Sequence, residues 1–228
     1  MGATRIIAIR HGETAWNVEA RLQGHLDIDL NARGRWQAQR LAQALADEDI
    51  AAIYSSDLSR ARATAQAIAN ANAASAASPA SNPLDNAPTR EVRLHTGLRE
   101  RCFGQFEGQT YAQLAADWPE ESRRWRQRDP SFAPEGGETL IQLRDRVAHT
   151  LNTLASQHLG EQIVLVAHGG VLDALYRLAT HVDTAAPRSW ELGNAAINRL
   201  LWAPDALTLV GWSDTRHLDD TVLDETST

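Results

Sequence analysis

Lysine is absent from this 228-residue chain, so all 22 of its basic side chains are arginines. Arginine is permanently charged and can hold phosphate or carboxylate at two points. A genome-wide preference for arginine would produce the same bias, so each arginine needs its own argument. Cysteine is nearly absent too. Cys102 is the only one, which excludes an intrachain disulfide and a stapled secreted scaffold. An inert packing role is preferred for it over a catalytic thiol. An excess of basic charge is also missing. The net charge of -7 and a pI near 5.6 argue against a nucleic-acid-binding face, which needs a broad positive surface. No apolar run is long enough to cross a bilayer, and Arg5 and Arg10 bracket too short an apolar stretch for a signal peptide. A soluble, cytoplasmic protein without membrane or nucleic-acid partners is expected.

A hydrophobic content of 43% suffices for a substantial core, and the length favours one domain. Strand-like runs alternate with helical patterns, which predicts a three-layer α/β/α domain over residues 1–213, its sheet mostly parallel with helices on both faces. The first strand is Arg5 to Ile9. A helix capped near Asn31 follows, with Ala38, Leu41 and Leu45 at helical spacing. "AAIYSS" reads as a second strand and runs into the helix "DLSRARATAQAIA", with Ser56 and Asp57 as capping candidates. From Ala71 to Arg90 the residues are Ala, Ser, Asn and Pro with little to bury, a flexible insertion that is either a lid or disordered. "EVRLHT" is a short strand, and Tyr111 to Asp117 a helix. Leu140, Leu143, Val147, Leu151 and Leu154 form the clearest apolar stripe. The strand Ile163 to Ala167 leads into a helix from about Val171, and "AAINRLLWA" with "LTLVGWS" reads as a closing antiparallel pair. Residues 214–228 are a polar, acidic tail.

Two apolar strands end alike: Ile6 to Ile9 runs into Arg10, His11 and Gly12, and Ile163 to Ala167 into His168, Gly169 and Gly170. Ligands of open α/β sheets settle beyond the carboxyl ends of strands, so both histidines reach one crevice if their strands are neighbours. Glycine after each histidine lets the backbone turn and approach an anion, and the helix after Gly170 offers free N–H groups. A permanent cation at Arg10 is costly to bury unless an anion meets it. Asn17 adds a neutral donor, and Arg60, which opens its helix after a strand end, points at the same crevice. Arg62 is about 200° further round that helix and faces elsewhere.

"RHGETAWN", "SSDLSRARATA", "LRERCFGQFEG" and "AHGG", in this order, resemble the histidine phosphatase superfamily, the phosphoglycerate mutase-like enzymes. The resemblance implies that His11 is a nucleophile giving a covalent phosphohistidine. Arg10, Arg60 and His168 would form the phosphate pocket, helped by Asn17 and the backbone at Gly169. Glu100 would be the general acid, and no cofactor or metal would be required. Glu13, Glu107, Glu135 and Glu138 compete for that role, but Glu100 holds the matching place before "FGQFEG", and Glu138 suits an early helix position. His25, His95, His149, His158, His181 and His217 match no motif and read as structural or surface residues, without metal-ligand spacing.

In "RRWRQR", Arg123 to Arg128, the arginines spread round a helix, so a solvated element is preferred over a second anion contact. Trp118 and Trp125 either pack or cover an apolar part of the substrate. The compact stretch from Glu100 to His168 favours a metal-independent phosphomonoesterase of small phosphorylated metabolites, with inorganic phosphate as product. A cofactor-dependent phosphoglycerate mutase and a non-catalytic phosphate-binding module are the alternatives. The oligomeric state is monomer or homodimer.

Overall fold

The computed structural model describes residues 2–76 and 90–219. Its strands are β1 (Thr4–Arg10), β2 (Ala52–Ser55), β3 (Val92–Leu94), β4 (Gln162–Ala167), β5 (Ile197–Ala203) and β6 (Ala206–Asp214). The helices are α1 (Ala15–Val18), α2 (Ala32–Ala44), α3 (Ser59–Ala76), α4 (Tyr111–Asp117), α5 (Pro119–Arg126), α6 (Leu140–Ala155) and α7 (Gly169–Thr180). They surround one sheet of order β3-β2-β4-β1-β5-β6. Parallel pairing joins β3 to β2, β2 to β4 and β4 to β1, and β5 pairs antiparallel with both β1 and the edge strand β6. This is the expected mostly parallel sheet. β1 and β4 are direct neighbours, with Arg10 paired to Ala167, so the residues that follow them emerge side by side.

Both faces of the sheet are covered. Alternation along β1 sends Ile6 and Ala8 into a core with Val147, Leu151 and Leu154 of α6 and Leu172 and Leu175 of α7. Ile7 and Ile9 face the opposite core, against Leu41 of α2 and Ile68 of α3. The stripe on α6 is buried throughout, and truncating one of its central leucines to alanine would cost about 2–5 kcal/mol. A third cluster of Leu22, Phe106, Leu114 and Phe132, with Phe103, Trp118 and Trp125 against it, ties α4 and α5 to the loop after α1.

Several boundaries differ from the sequence reading. Residues 71–76 belong to α3 rather than to the insertion, because buried Asn72 donates to the carbonyls of Leu45, Ala46 and Glu48 and so ties the last turns to the end of α2. The rest of the expected insertion, 77–89, lies outside the described residues, as does 220–228. The tail reading began at Asp214. That residue instead ends β6 opposite Ile197, and Arg216–Leu218 form a single 3-10 turn. Arg40 of α2 donates to the carbonyls of His217 and Asp219. Asn31 caps α2 as expected, accepting from Gly34 N–H at 2.7 Å. At α3 the first turn is held from outside, by Asp27 accepting from Ser59 N–H at 2.7 Å, while Asp57 forms a two-point pair with Arg99.

Candidate active site

A cavity of about 430 Å3 opens beyond the carboxyl ends of β1 and β4 and is lined by Arg10, His11, Asn17, Arg60, Glu100 and Gly169 among others. The imidazoles of His11 and His168 lie with ring centroids 5.1 Å apart and planes tilted by 60°. Both are almost fully buried. Nδ1 of His11 lies 2.7 Å from the carbonyl oxygen of Gly12. A carbonyl only accepts, so Nδ1 carries the proton and Nε2 carries the lone pair. The backbone on either side of the ring is pinned as well: Asn194 donates to the His11 carbonyl at 2.8 Å, and Ala195 N–H to the Arg10 carbonyl at 2.9 Å.

The neighbourhood is strongly electropositive. Burial, together with the Arg60 and Arg10 guanidiniums, holds His11 well below the ordinary histidine value. Burial, then His11, Arg60 and Arg10, does the same to His168. Both rings are thus neutral near pH 7. Arg60 is completely buried and donates to the carbonyls of Leu26 and Gly24, each at 2.8 Å. Arg10 donates to the carbonyl of Leu192. Nε of Arg10, Nε of Arg60 and both ring nitrogens of His168 are buried with no hydrogen-bond partner in the protein. Buried polar atoms are rarely left unsatisfied, and the oxygens of a bound dianion are the kind of acceptor these groups lack. Asn17 uses its side-chain oxygen locally, accepting from Thr14 N–H at 3.0 Å, and is itself part of the cavity wall.

Glu100 also meets this group, by a route the sequence did not reveal. Its carboxylate accepts from Gly170 N–H at 2.9 Å and from Arg101 N–H at 2.8 Å. The free N–H of Gly170 at the start of α7, expected to serve an anion, is therefore occupied by Glu100. A Cβ at Gly170 would stand 2.4 Å from Glu100 Oε1, so the carboxylate fits there only because residue 170 has no side chain. Gly12 has a different task. A Cβ there would lie 2.4 Å from the carbonyl oxygen of Gly34, so this glycine lets the loop press on the start of α2.

The competing carboxylates are structural. Glu13 accepts from Asn31, Glu107 from the N–H groups of His25 and Phe103, and Glu135 is exposed. Glu138 lies before the cap of α6 rather than inside the helix, paired with Arg146. Of the arginines at 123–128, Arg123 pairs with Glu120 and Arg124 with Asp129 on the surface. Arg128 departs from the solvated reading. It adopts a left-handed φ of 55°, turns into the cavity wall and pairs with Asp173 at 2.7 Å. Trp118 packs, while Trp125 both packs on Phe103 and lines the cavity.

Arg101, Asp173 and Arg188 line the cavity too; Arg101 stands within the block "LRERCFGQFEG" without a role read for it, and no motif announced the other two. Arg101 stands over the face of Trp125 at 4.4 Å, and burial pushes its pKa down to about 10 against the pull of Glu138 and Glu100. His25, read as unrelated to the site, has Nε2 at 2.9 Å from the Glu100 carbonyl oxygen. Arg62 is exposed, as expected. Among the described residues no group of His, Cys, Asp and Glu side chains is arranged to hold a metal ion, and no helix is long and apolar enough to cross a membrane.

Known proteins resemble this chain in sequence and fold. The chain is 38% identical over 219 residues to phosphoglycerate mutase-like protein 4 of Arabidopsis thaliana, covering 95% of this chain and 87% of that protein. It is 36% identical to a metal-independent phosphoserine phosphatase of the same plant, over 94% of this chain and 83% of the relative. Among solved structures, a mycobacterial glucosyl-3-phosphoglycerate phosphatase in complex with VO3 superposes with a TM-score of 0.78 at 32% identity, covering 92% of this chain and 99% of that one. The family model described as histidine phosphatase superfamily (branch 1) matches residues 6–215, and the chain belongs to that superfamily.

Proposed function

We propose that the protein is a metal-independent phosphomonoesterase working through a phosphohistidine at His11, and that it acts in the cytoplasm on small phosphorylated metabolites. The lone pair fixed on His11 Nε2 by the Gly12 carbonyl, beside partnerless donors of Arg10, Arg60 and His168, is the observation that carries this reading. Nε2 attacks phosphorus in line, the ester P–O bond breaks, and Glu100 delivers its proton to the departing alkoxide. Arg10, Arg60 and His168 neutralise charge on the equatorial oxygens. Water then attacks the phosphohistidine, giving its proton to Glu100. The P–N bond breaks, the imidazole recovers its lone pair, and inorganic phosphate leaves.

Three arginines of the cavity wall support a narrower substrate class. Exposed Arg188 makes no hydrogen bond or ion pair among the described residues, and Arg101 and Arg128 share its wall. Together they suit an alcohol bearing a carboxylate, as do phosphoserine and the phosphoglycerates in the names of the relatives. A panel of phosphoserine, phosphoglycerates and neutral sugar phosphates tests this, with the carboxylated esters expected to be preferred.

The mutase reading shares the first half-reaction, and the name of the Arabidopsis mutase-like relative favours keeping it. Interconversion of the monophosphoglycerates on priming with bisphosphoglycerate would establish it; release of phosphate alone would remove it. Hydrolysis of an aryl phosphate in the presence of chelator, with an acid-labile phosphoenzyme in quenched samples, is expected for the phosphatase. Phosphate binding without any phosphoenzyme would instead mean a non-catalytic module.

A further inference from the structure

The loop bearing Glu100 is fastened by a side chain that does not line the cavity. Arg146, on α6, directs its guanidinium at the peptide backbone of this loop. Nη1 donates to the carbonyls of Gly97 at 2.9 Å and Arg99 at 3.0 Å, and Nη2 to the carbonyl of Glu100 at 3.3 Å. Its remaining donors meet the Glu138 carboxylate, Nε at 2.9 Å and Nη2 at 2.8 Å. Every N–H of the fork is thereby used.

Glu138 extends the same fixture with its backbone. Its N–H donates to the Cys102 carbonyl at 2.9 Å, and its carbonyl accepts from Arg101 Nε at 2.7 Å. His25 closes the remaining side, donating from Nε2 to the Glu100 carbonyl at 2.9 Å. The peptide groups around Glu100 are therefore set by a guanidinium from one helix and an imidazole from another loop. Only the carboxylate itself reaches the α7 N-terminus and the cavity.

We infer that Arg146, held by Glu138, is a positioning residue for the general acid: it touches no reacting atom and acts by fixing where the Glu100 carboxyl stands. The geometry explains why an arginine serves here. Three carbonyls and a carboxylate lie round one planar fork, and a lysine ammonium, with three donors on a single atom, cannot span them. Misplacement of an acid by about 1 Å costs on the order of a hundredfold in rate. The inference rests on the role given to Glu100 above.

A general acid matters in proportion to the basicity of its leaving group. Glycerol phosphate releases an alkoxide that needs the proton, whereas dinitrophenyl phosphate releases a stable phenolate that does not. For the purified full chain, kcat/KM is compared for both esters in wild type, Glu100→Gln, Arg146→Met and Arg146→Lys, with thermal melting of each. Glu100→Gln sets the reference, a fall in kcat/KM that is much larger on glycerol phosphate than on dinitrophenyl phosphate. Arg146→Met is expected to lose about a hundredfold on glycerol phosphate and less than about threefold on dinitrophenyl phosphate, with Arg146→Lys between it and wild type. Equal losses on both esters in the Arg146 variants, against a selective Glu100→Gln, would overturn the positioning role and leave the acid intact. If Arg146→Met fails to fold, the selectivity of Arg146→Lys decides by the same criterion. A Glu100→Gln variant without leaving-group selectivity would remove the acid itself, and the positioning role with it.

Discussion

The ends of β1 and β4 carry nearly the same residues, an apolar run and then His-Gly, yet their chemistry differs. At β1 the imidazole is committed: Nδ1 is tied to the Gly12 carbonyl, and Asn194 and Ala195 clamp the backbone on either side. At β4 the His168 ring has no partner at either nitrogen and caps α7 without a side-chain bond. The glycines differ as well. Gly12 relieves crowding against Gly34, whereas a Cβ at residue 169 would stand at ordinary contact distances of 3.7 Å from Arg10 Nε and Glu100 Oε2. Repeated local sequence therefore does not mean repeated function. One ring has its tautomer set by the backbone, as the proposed nucleophile needs, and the other keeps both nitrogens unpartnered, as the proposed donor to a phosphoryl oxygen needs.

Mutations that treat the two ends alike would sharpen or break this division. The largest effect is expected from His11→Ala, a fall in kcat of about 10⁴-fold or more with no phosphoenzyme in quenched samples. His168→Ala should cost about 10²–10³-fold, as loss of one donor to the transition state does, while a phosphoenzyme still forms slowly. Equal losses, with neither variant forming a phosphoenzyme, would mean that the rings act as one unit. Gly12→Ala should lower stability by about 1–3 kcal/mol in denaturant titrations, because its Cβ meets backbone that cannot move aside.

Acid should destabilise the fold through both rings. Their folded values lie below the ordinary 6.5, so the unfolded chain binds more protons. Stability is intact above about pH 6.5 and is lost as the pH falls from there toward the depressed folded values. Each ring contributes a slope of at most about 1.4 kcal/mol per pH unit. Replacing either histidine by alanine should flatten the profile, and an unchanged slope would contradict the neutral burial of that ring. The smallest effect is expected for Gly169→Ala, within about 0.5 kcal/mol of wild type, since its Cβ would find ordinary contact distances.

The parts legible in the sequence were those written in consecutive residues. The strand β4 and the stripe Leu143, Val147 and Leu151 announce their burial through local period alone. That β1 lies beside β4, and so that His11 meets His168, stayed a condition in the sequence and is supplied by the strand order of the fold. What stayed hidden depends on distant backbone. Nothing at Arg128 signals a left-handed φ, and so nothing aims its side chain at Asp173. His25 reaches the Glu100 carbonyl because Glu107 anchors its N–H from another loop. The glycines were visible, but whether each relieves backbone crowding or admits a carboxylate depends on which element packs against it.

The bond from His11 Nδ1 to the Gly12 carbonyl reaches beyond tautomer choice. It closes one ring nitrogen to modification, so the phosphohistidine of the proposed mechanism is expected as a single isomer, tele, on Nε2. Antibodies or phosphorus NMR that separate the two phosphohistidine isomers would read this directly on the intact protein. The pros isomer would require that ring to turn over first.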